Sequence, residues 1–432
     1  MLEPHSTTMK PALIGLSLTI LPLFGGLQAA DSDAAARPKP IPQTRPAMKE
    51  ALDELKRREP RIPMPPDADG ARGRSRVNNG RMRNYYLPPE FSQGGFPRGR
   101  DPNATLDYAF TVEFFWIASR VNNCHYCLGH QESKLRAAGR TEERLAALDC
   151  DWSAFTPAET AAFAFARKLS LEPQLISRKD IDELGEHYRP LQIIEICLHV
   201  AGYNAMNRWT DGIGIPQEDH REFRTETPDA FRALPSRVAP AAVPDRGPLP
   251  TRGEVETALQ TYRTRNPLLP LVGSDEARQL LDYPADRPVP HWIRLLANFP
   301  VSSRARIAGY QAVQDKGRVP SILKAKMNWI AARHDRAWYA LGLAWKKLHE
   351  SGLSADDIFA LETPAPNRDP GEQAALDLAA KLTAAPQSIV DNDIARLRGH
   401  FSDQEVAEIV HAITQAAFLH RATEPAQLPL EH

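Results

Sequence analysis

Apolar residues recur at helical spacing along much of the chain. From Pro190 to Trp209, Leu191, Ile194, Leu198, Ala201 and Ala205 fall every three or four positions, which predicts a helix with a buried stripe. Phe110 to Arg120 is apolar-rich with no breaker. Glu159 to Leu169 (ETAAFAFARKL) is alanine-rich and follows Thr156-Pro157, a cap followed by a first-turn proline. Thr141-Glu142-Glu143-Arg144 and Ser354-Ala355-Asp356-Asp357 read as further N-caps. Alternating runs rich in Val, Ile and Thr are missing, so the expected class is all-α with no sheet. Segment 60–103 is dense in Gly, Pro and Arg and predicts irregular loop, long enough to be an arm or a cover over a neighbour. Its arginines from Arg72 to Arg83 read as a solvated loop.

The pattern occurs twice. At a shift of 213 positions, Trp116-Ile117-Ala118 and Arg120 meet Trp329-Ile330-Ala331 and Arg333, and Tyr126, Leu128 and Gly129 meet Tyr339, Leu341 and Gly342. Lys168-Leu169 meets Lys381-Leu382, Glu195-Ile196 meets Glu408-Ile409, and Arg208 meets Arg421. Upstream, ALDELKRREPRIP from Ala51 resembles ALQTYRTRNPLLP from Ala258 at a shift of 207, leaving a six-residue insertion between the two blocks. The expected organisation is a repeat over 44–237, a linker over 238–250 rich in Pro and Gly, and a second repeat over 251–432.

Composition adds three points. A length of 432 residues calls for more than one helical unit, and 38 prolines call for much loop. A net charge of −1 gives no basic field, so no nucleic-acid partner is expected. Met9-Lys10 followed by PALIGLSLTILPLFGG and the small residues LQAA reads as an export signal cleaved near Ala29 or Ala30, with a disordered linker over 31–43. The expected location is therefore periplasmic or secreted.

The chemistry concentrates in one stretch. Glu113 precedes Cys124 by eleven residues, Cys127 follows one helical turn later, and His130 lies three residues beyond. With Asn122 or Asn123 as cap, both sulfurs fall in the first turn of a helix, where the positive end of the dipole favours thiolate. His130 shares their side and can take a thiol proton, and Glu113 can orient it if it faces the pair. His125 is a rival imidazole. Two cysteines at this spacing can close a disulfide once one is oxidised. A structural zinc site needs a fourth ligand beyond Cys124, Cys127 and His130, and no second Cys-x-x-Cys exists. No haem or nucleotide motif is visible, so no cofactor is expected. Cys150 and Cys197 lie far from the pair in sequence and read as buried thiols, a bond between them being the alternative. Glu195 and His199 read as a packing pair and Arg208 as a structural ion-pair partner, because Glu195 and Arg208 recur in the second repeat.

Glu113, the Cys124-x-x-Cys127 pair and His130, with Asn204, Asn207 and Arg208 in AGYNAMNRWTDGIGIP, resemble the thiol signature of the alkylhydroperoxidase D/carboxymuconolactone decarboxylase family. The resemblance covers 105–216 well and the second repeat more faintly. It implies an all-α fold assembling as oligomers, or here as an intrachain pseudo-dimer. It also implies peroxiredoxin-like reduction of hydroperoxides, with an external dithiol as reductant. Cys127 would be the attacking thiol, Cys124 the resolving one, and His130 and Glu113 the proton relay. The alternatives are a lactone decarboxylase, a thiol–disulfide exchange partner and a non-enzymatic assembly module. At the 213 shift Glu113, Cys124, Cys127 and His130 become Lys326, Ala337, Ala340 and Leu343, so the second repeat keeps the scaffold without the chemistry.

Overall fold

Helix-start chemistry sets the elements. Thr156 caps its helix with a reciprocal Glu159 bond and Pro157 in the first turn, while Ser402 and Glu405 do the same for the last helix. Thr141 and Ser354 cap as the sequence predicts, accepting from the amides of Arg144 and Asp357. The computed structural model describes residues 1, 38–66, 77–91, 101–223 and 225–431. The export-signal pattern lies outside these residues. The described residues from Pro38 onward form one compact unit.

The first repeat holds α1 (Arg45–Glu54), α2 (Asn78–Tyr86), α3 (Tyr108–Val121), α4 (His125–Ala137), α5 (Glu142–Cys150), α6 (Pro157–Leu171), α7 (Arg178–Gly185) and α8 (Pro190–Ile213), then the short α9 (Asp229–Arg232). The second holds α10 (Arg252–Thr261), α11 (Ser274–Leu281), α12 (His291–Leu296), α13 (Pro300–Asp315), α14 (Ser321–Asp335), α15 (Trp338–Glu350), α16 (Ala355–Ala360), α17 (Pro370–Ala384), α18 (Asp391–Arg398) and α19 (Asp403–Thr423). One isolated bridge, Thr44 with Pro235, is the only β pairing among the described residues, so the fold class is all-α.

The helix starts of α3, α4, α5, α6, α7, α8 and α2 recur in the second repeat at the 213 spacing, and α1 recurs as α10 at 207. Fine detail recurs with them. Asn123 and Arg336, both non-glycine, take left-handed backbone at φ 53° and 48°, and Gly139 and Gly352 do so at 80° and 91°. Glu195 accepts from the amides of Thr105 and Leu106, and Glu408 from those of Arg318 and Val319. These two carboxylates thus hold the chain just before α3 and α14, which is a structural duty in both repeats.

Helices α8 and α19 pack lengthwise against each other at the centre. Every residue of α19 from Val406 to Thr423 is buried, as a helix surrounded on all sides requires. Arg208 on α8 donates to the carbonyl of Thr383 at 2.9 Å, and Arg421 on α19 donates to the carbonyl of Ser170 at 3.3 Å. Each contact is the 213-shifted image of the other. Arg421 also pairs with Asp335 at 2.7 Å, whereas the terminal nitrogens of Arg208 donate to carbonyl and amide oxygens.

Three loop expectations need correction. Part of 60–103 is helical: α2 forms because Asn78 and Asn79 are tied by backbone and side-chain bonds to the first repeat. Of the linker 31–43, the described residues 38–43 are held in place. Lys39 bonds Asp211 at 2.7 Å, the Pro40 carbonyl accepts from Asn123, and Gln43 reaches Pro240. The join at 238–250 is likewise packed, with Val238 buried and Arg246 bonded to Asp335.

Candidate active site at the head of α4

The turn between α3 and α4 is fixed from behind by α8. Asn122 donates to Asn204 Oδ1 at 2.8 Å and faces Asn207 Oδ1 at 2.9 Å, and Asn207 in turn donates to Ser119. These asparagines, which the sequence placed in the family-like stretch, anchor the turn. Asn123 follows in left-handed backbone, which an asparagine tolerates better than most residues.

The cap is Cys124 itself, not Asn122 or Asn123: its sulfur accepts from the Cys127 amide at 3.4 Å. Cys127 sits at the third helical position. Both are free thiols, and both are buried, at 0% and 2% exposure. The Thr210 hydroxyl on α8 lies 3.0 Å from the Cys124 sulfur and 3.2 Å from the Cys127 sulfur, so it touches both. Burial, the bond to Cys127 and the nearby Asp211 carboxylate push the Cys124 thiol well above its ordinary range, while Lys39 pulls it back. Replacing Asp211 with Asn should therefore move the pH profile of Cys124 alkylation by iodoacetamide downward. Replacing Lys39 with Met should move it upward. Peptide mass mapping of the alkylated sites checks both signs, and a shift of the same sign in both would be inconsistent with this field.

His130 is held in a cluster of its own. Its Nε2 lies 2.9 Å from Glu218, and its Nδ1 accepts from Arg221 at 2.9 Å. This is a neutral ring, in keeping with a basicity that burial lowers. Glu218 also accepts from the Tyr126 hydroxyl at 2.8 Å and from the Asn78 amide. Burial works against its ionisation, but His130 and these donors hold its carboxyl below the usual range. His125 is buried, bonds Asn123 at 2.9 Å, and burial keeps it neutral.

Glu113 is elsewhere. It lies on α3 about two turns before the cysteine turn and pairs with Arg144 at 2.7 Å and Arg140 at 3.1 Å, beyond the far end of α4. Burial raises its carboxyl despite those arginines. The expectation of a Glu113–His130 contact is corrected accordingly: helical rise carries Glu113 down the hairpin, and the carboxylate beside His130 is Glu218. Cys150 and Cys197 are separate free thiols; Cys150 makes a long contact with the Leu234 carbonyl at 3.7 Å.

Sequence reading missed Lys39, Thr210, Asp211, Glu218 and Arg221. The 213 shift carried a signal for three of them, since Thr210, Asp211 and Glu218 correspond to Thr423, Glu424 and Glu431. The second repeat rebuilds part of the scaffold. Tyr339 bonds Glu431, which accepts from the His291 amide at 2.7 Å, just as Tyr126 bonds Glu218 above the Asn78 amide. The Tyr–Glu pair is therefore architectural, and what the first repeat adds is two thiols and His130. At the head of α15 a carboxylate replaces the thiol cap: Glu424 accepts from the Tyr339 amide at 3.3 Å.

Burial pushes Glu424 up to about 7. The folded protein then holds a proton that the unfolded chain releases near pH 4.3. Stability is full below that value and declines as pH rises to about 7, by on the order of 3 kcal/mol. Urea denaturation of Glu424→Gln should match wild type at pH 4.5 and exceed it at pH 8. Equal pH slopes for the two proteins would contradict this.

No family model matches the chain, and no curated protein matches it. Among solved structures, it is similar to a variant of the debrominase Bmp8 in complex with 2,3,4-tribromopyrrole. The identity is 16% and the TM-score 0.31, over 44% of this chain and 94% of that one. The apo form of the debrominase Bmp8 matches at the same identity and TM-score, over 42% and 90%.

Proposed function

We propose that the first repeat is a thiol peroxidase of the alkylhydroperoxidase D kind, in which Cys124 and Cys127 cycle between dithiol and disulfide. The observation that carries this reading is the pair itself: two free sulfurs one turn apart, both against the Thr210 hydroxyl, at the head of a helix. Cys127 attacks the peroxide oxygen, giving Cys127 sulfenic acid and an alcohol (water if the oxidant is hydrogen peroxide). Cys124 then attacks that sulfur, the sulfur–sulfur bond forms, and hydroxide leaves with the Cys124 proton as water. Thr210 is placed to pass a proton between the sulfurs. An external dithiol reduces the bond and resets the pair.

Burial favours a hydroperoxide over a protein disulfide as oxidant, because a small molecule can reach sulfurs that are 0% and 2% exposed. The decarboxylase branch does not need the cysteine pair. The second repeat acts in this reading as the structural partner of an intrachain pseudo-dimer, supported by the reciprocal Arg208–Thr383 and Arg421–Ser170 contacts. The test is one equivalent of hydroperoxide on the reduced protein, followed by mass spectrometry. A Cys124–Cys127 bond should form faster than free thiol is oxidised. If no hydroperoxide does better than on free thiol, the peroxidase reading fails and a structural role is left.

A further inference from the structure

The second repeat contains a cavity of about 210 Å³. It lies between α13, α14, α15 and α19. On α15 it is lined by Ala340 and Leu343, the positions that carry Cys127 and His130 in the first repeat. Two rings of the first repeat have no aromatic counterpart in its lining. In the first repeat Phe115 and Tyr203 stack with centroids 4.1 Å apart and planes at 7°. Their counterparts at the 213 shift are Asn328 and Ala416, and both line the cavity.

The second repeat thus has alanines where the first has thiols, with open space beside Ala340. The cavity is partly open to solvent, so a small molecule can enter it by displacing water. An apolar cavity of about 150 Å³ is enough to hold benzene, so this one admits a benzene ring with a substituent. The lining also has a polar end. The Gln314 amide oxygen accepts from Asn328 at 2.7 Å, while its buried Nε2 has no partner among the described residues. His420 is bonded to Asp335 through Nδ1 at 2.9 Å, which leaves Nε2 as its other polar atom. Lys347 and Asp315 stand exposed at the lining's solvent side.

We propose that this cavity is a binding site for a monocyclic aromatic molecule carrying a carbonyl or similar oxygen acceptor. The ring lies against Asn328 and Ala416, the counterparts of Phe115 and Tyr203, and the oxygen takes the idle Gln314 N–H. The proposal stands apart from the thiol chemistry and does not need it.

The probe is acetophenone, titrated into the full-length protein by calorimetry and by ligand-observed NMR. Saturable binding is expected with a dissociation constant on the order of 0.1–1 mM, the range open to a ligand of this size. Ala416→Phe, which refills the space, should abolish binding while holding or raising the melting temperature. Gln314→Leu should weaken acetophenone about tenfold and leave toluene unaffected, separating lost recognition from lost fold. Absence of saturable binding by both acetophenone and toluene up to their solubility overturns the proposal. So does acetophenone binding that is unchanged in Ala416→Phe.

Discussion

On the proposed thiol peroxidase reading, Cys127→Ser should lose turnover of hydroperoxide by at least roughly a thousandfold, a barrier increase of about 4 kcal/mol, because serine at this position supplies no competent nucleophile. Cys124→Ser should behave differently. It should consume one equivalent of hydroperoxide, hold a sulfenic acid on Cys127 that a dimedone reagent traps, and then stop. The asymmetry follows from the site. Cys124 is the cap, fully buried and pushed up by burial, the bond to Cys127 and Asp211, so it suits the thiol that keeps its proton until a sulfenic acid appears beside it. Stopped-flow consumption of peroxide with dimedone labelling checks this order. A Cys127→Ser protein that reacts as fast as wild type would transfer the role of nucleophile away from position 127.

The largest loss of stability is expected at Asp335. This carboxylate is fully buried and faces Arg421 at 2.7 Å, His420 at 2.9 Å and Arg246. Burial opposes its ionisation, yet Arg421 and Arg246 hold it well below the ordinary carboxylate range. Asp335→Asn keeps the shape and removes the charge, leaving buried guanidinium groups without a counter-ion. The expected cost is about 3–5 kcal/mol. Position 335 corresponds to Asn122, where an asparagine suffices because its partners Asn204 and Asn207 are neutral. Adding Arg421→Met to Asp335→Asn should recover a large part of the loss, since it removes one of the stranded charges. Urea denaturation of the single and double variants measures both effects. A loss below about 1 kcal/mol in the single variant would mean that water or rearrangement compensates the arginines.

A neutral site in one repeat and an ionic one in the other, built on the same turn, illustrates how the duplication diverged. Shared positions are those that hold the backbone: the left-handed residue before the helix, the Glu195 and Glu408 anchors, and the Tyr–Glu pairs at Tyr126 and Tyr339. Changed positions line the space between the helices. The first repeat spends that space on two sulfurs and a stacked pair of rings, the second on a cavity.

The amino-acid sequence by itself determined the helices around Phe110, Glu159 and Pro190, the helix starts at Thr141, Thr156 and Ser354, the 213-residue repeat and the cysteine pair. These are written in spacing, capping residues and self-similarity, all of which act over a few neighbours or by direct comparison along the chain. It could not decide what the helices bring together from a distance. Lys39 meets Asp211 across 172 positions, Thr210 meets Cys124 across 86, and His130 takes Glu218 as its carboxylate because the rise of α3 carries Glu113 away from the cysteine turn. Such contacts depend on the packing of α8 and the strand of chain around Lys39 against the α3–α4 turn, and no local pattern encodes that angle or depth. Burial of both sulfurs, the packed link at 238–250 and the empty space beside Ala340 were likewise decided only when the helices closed on one another.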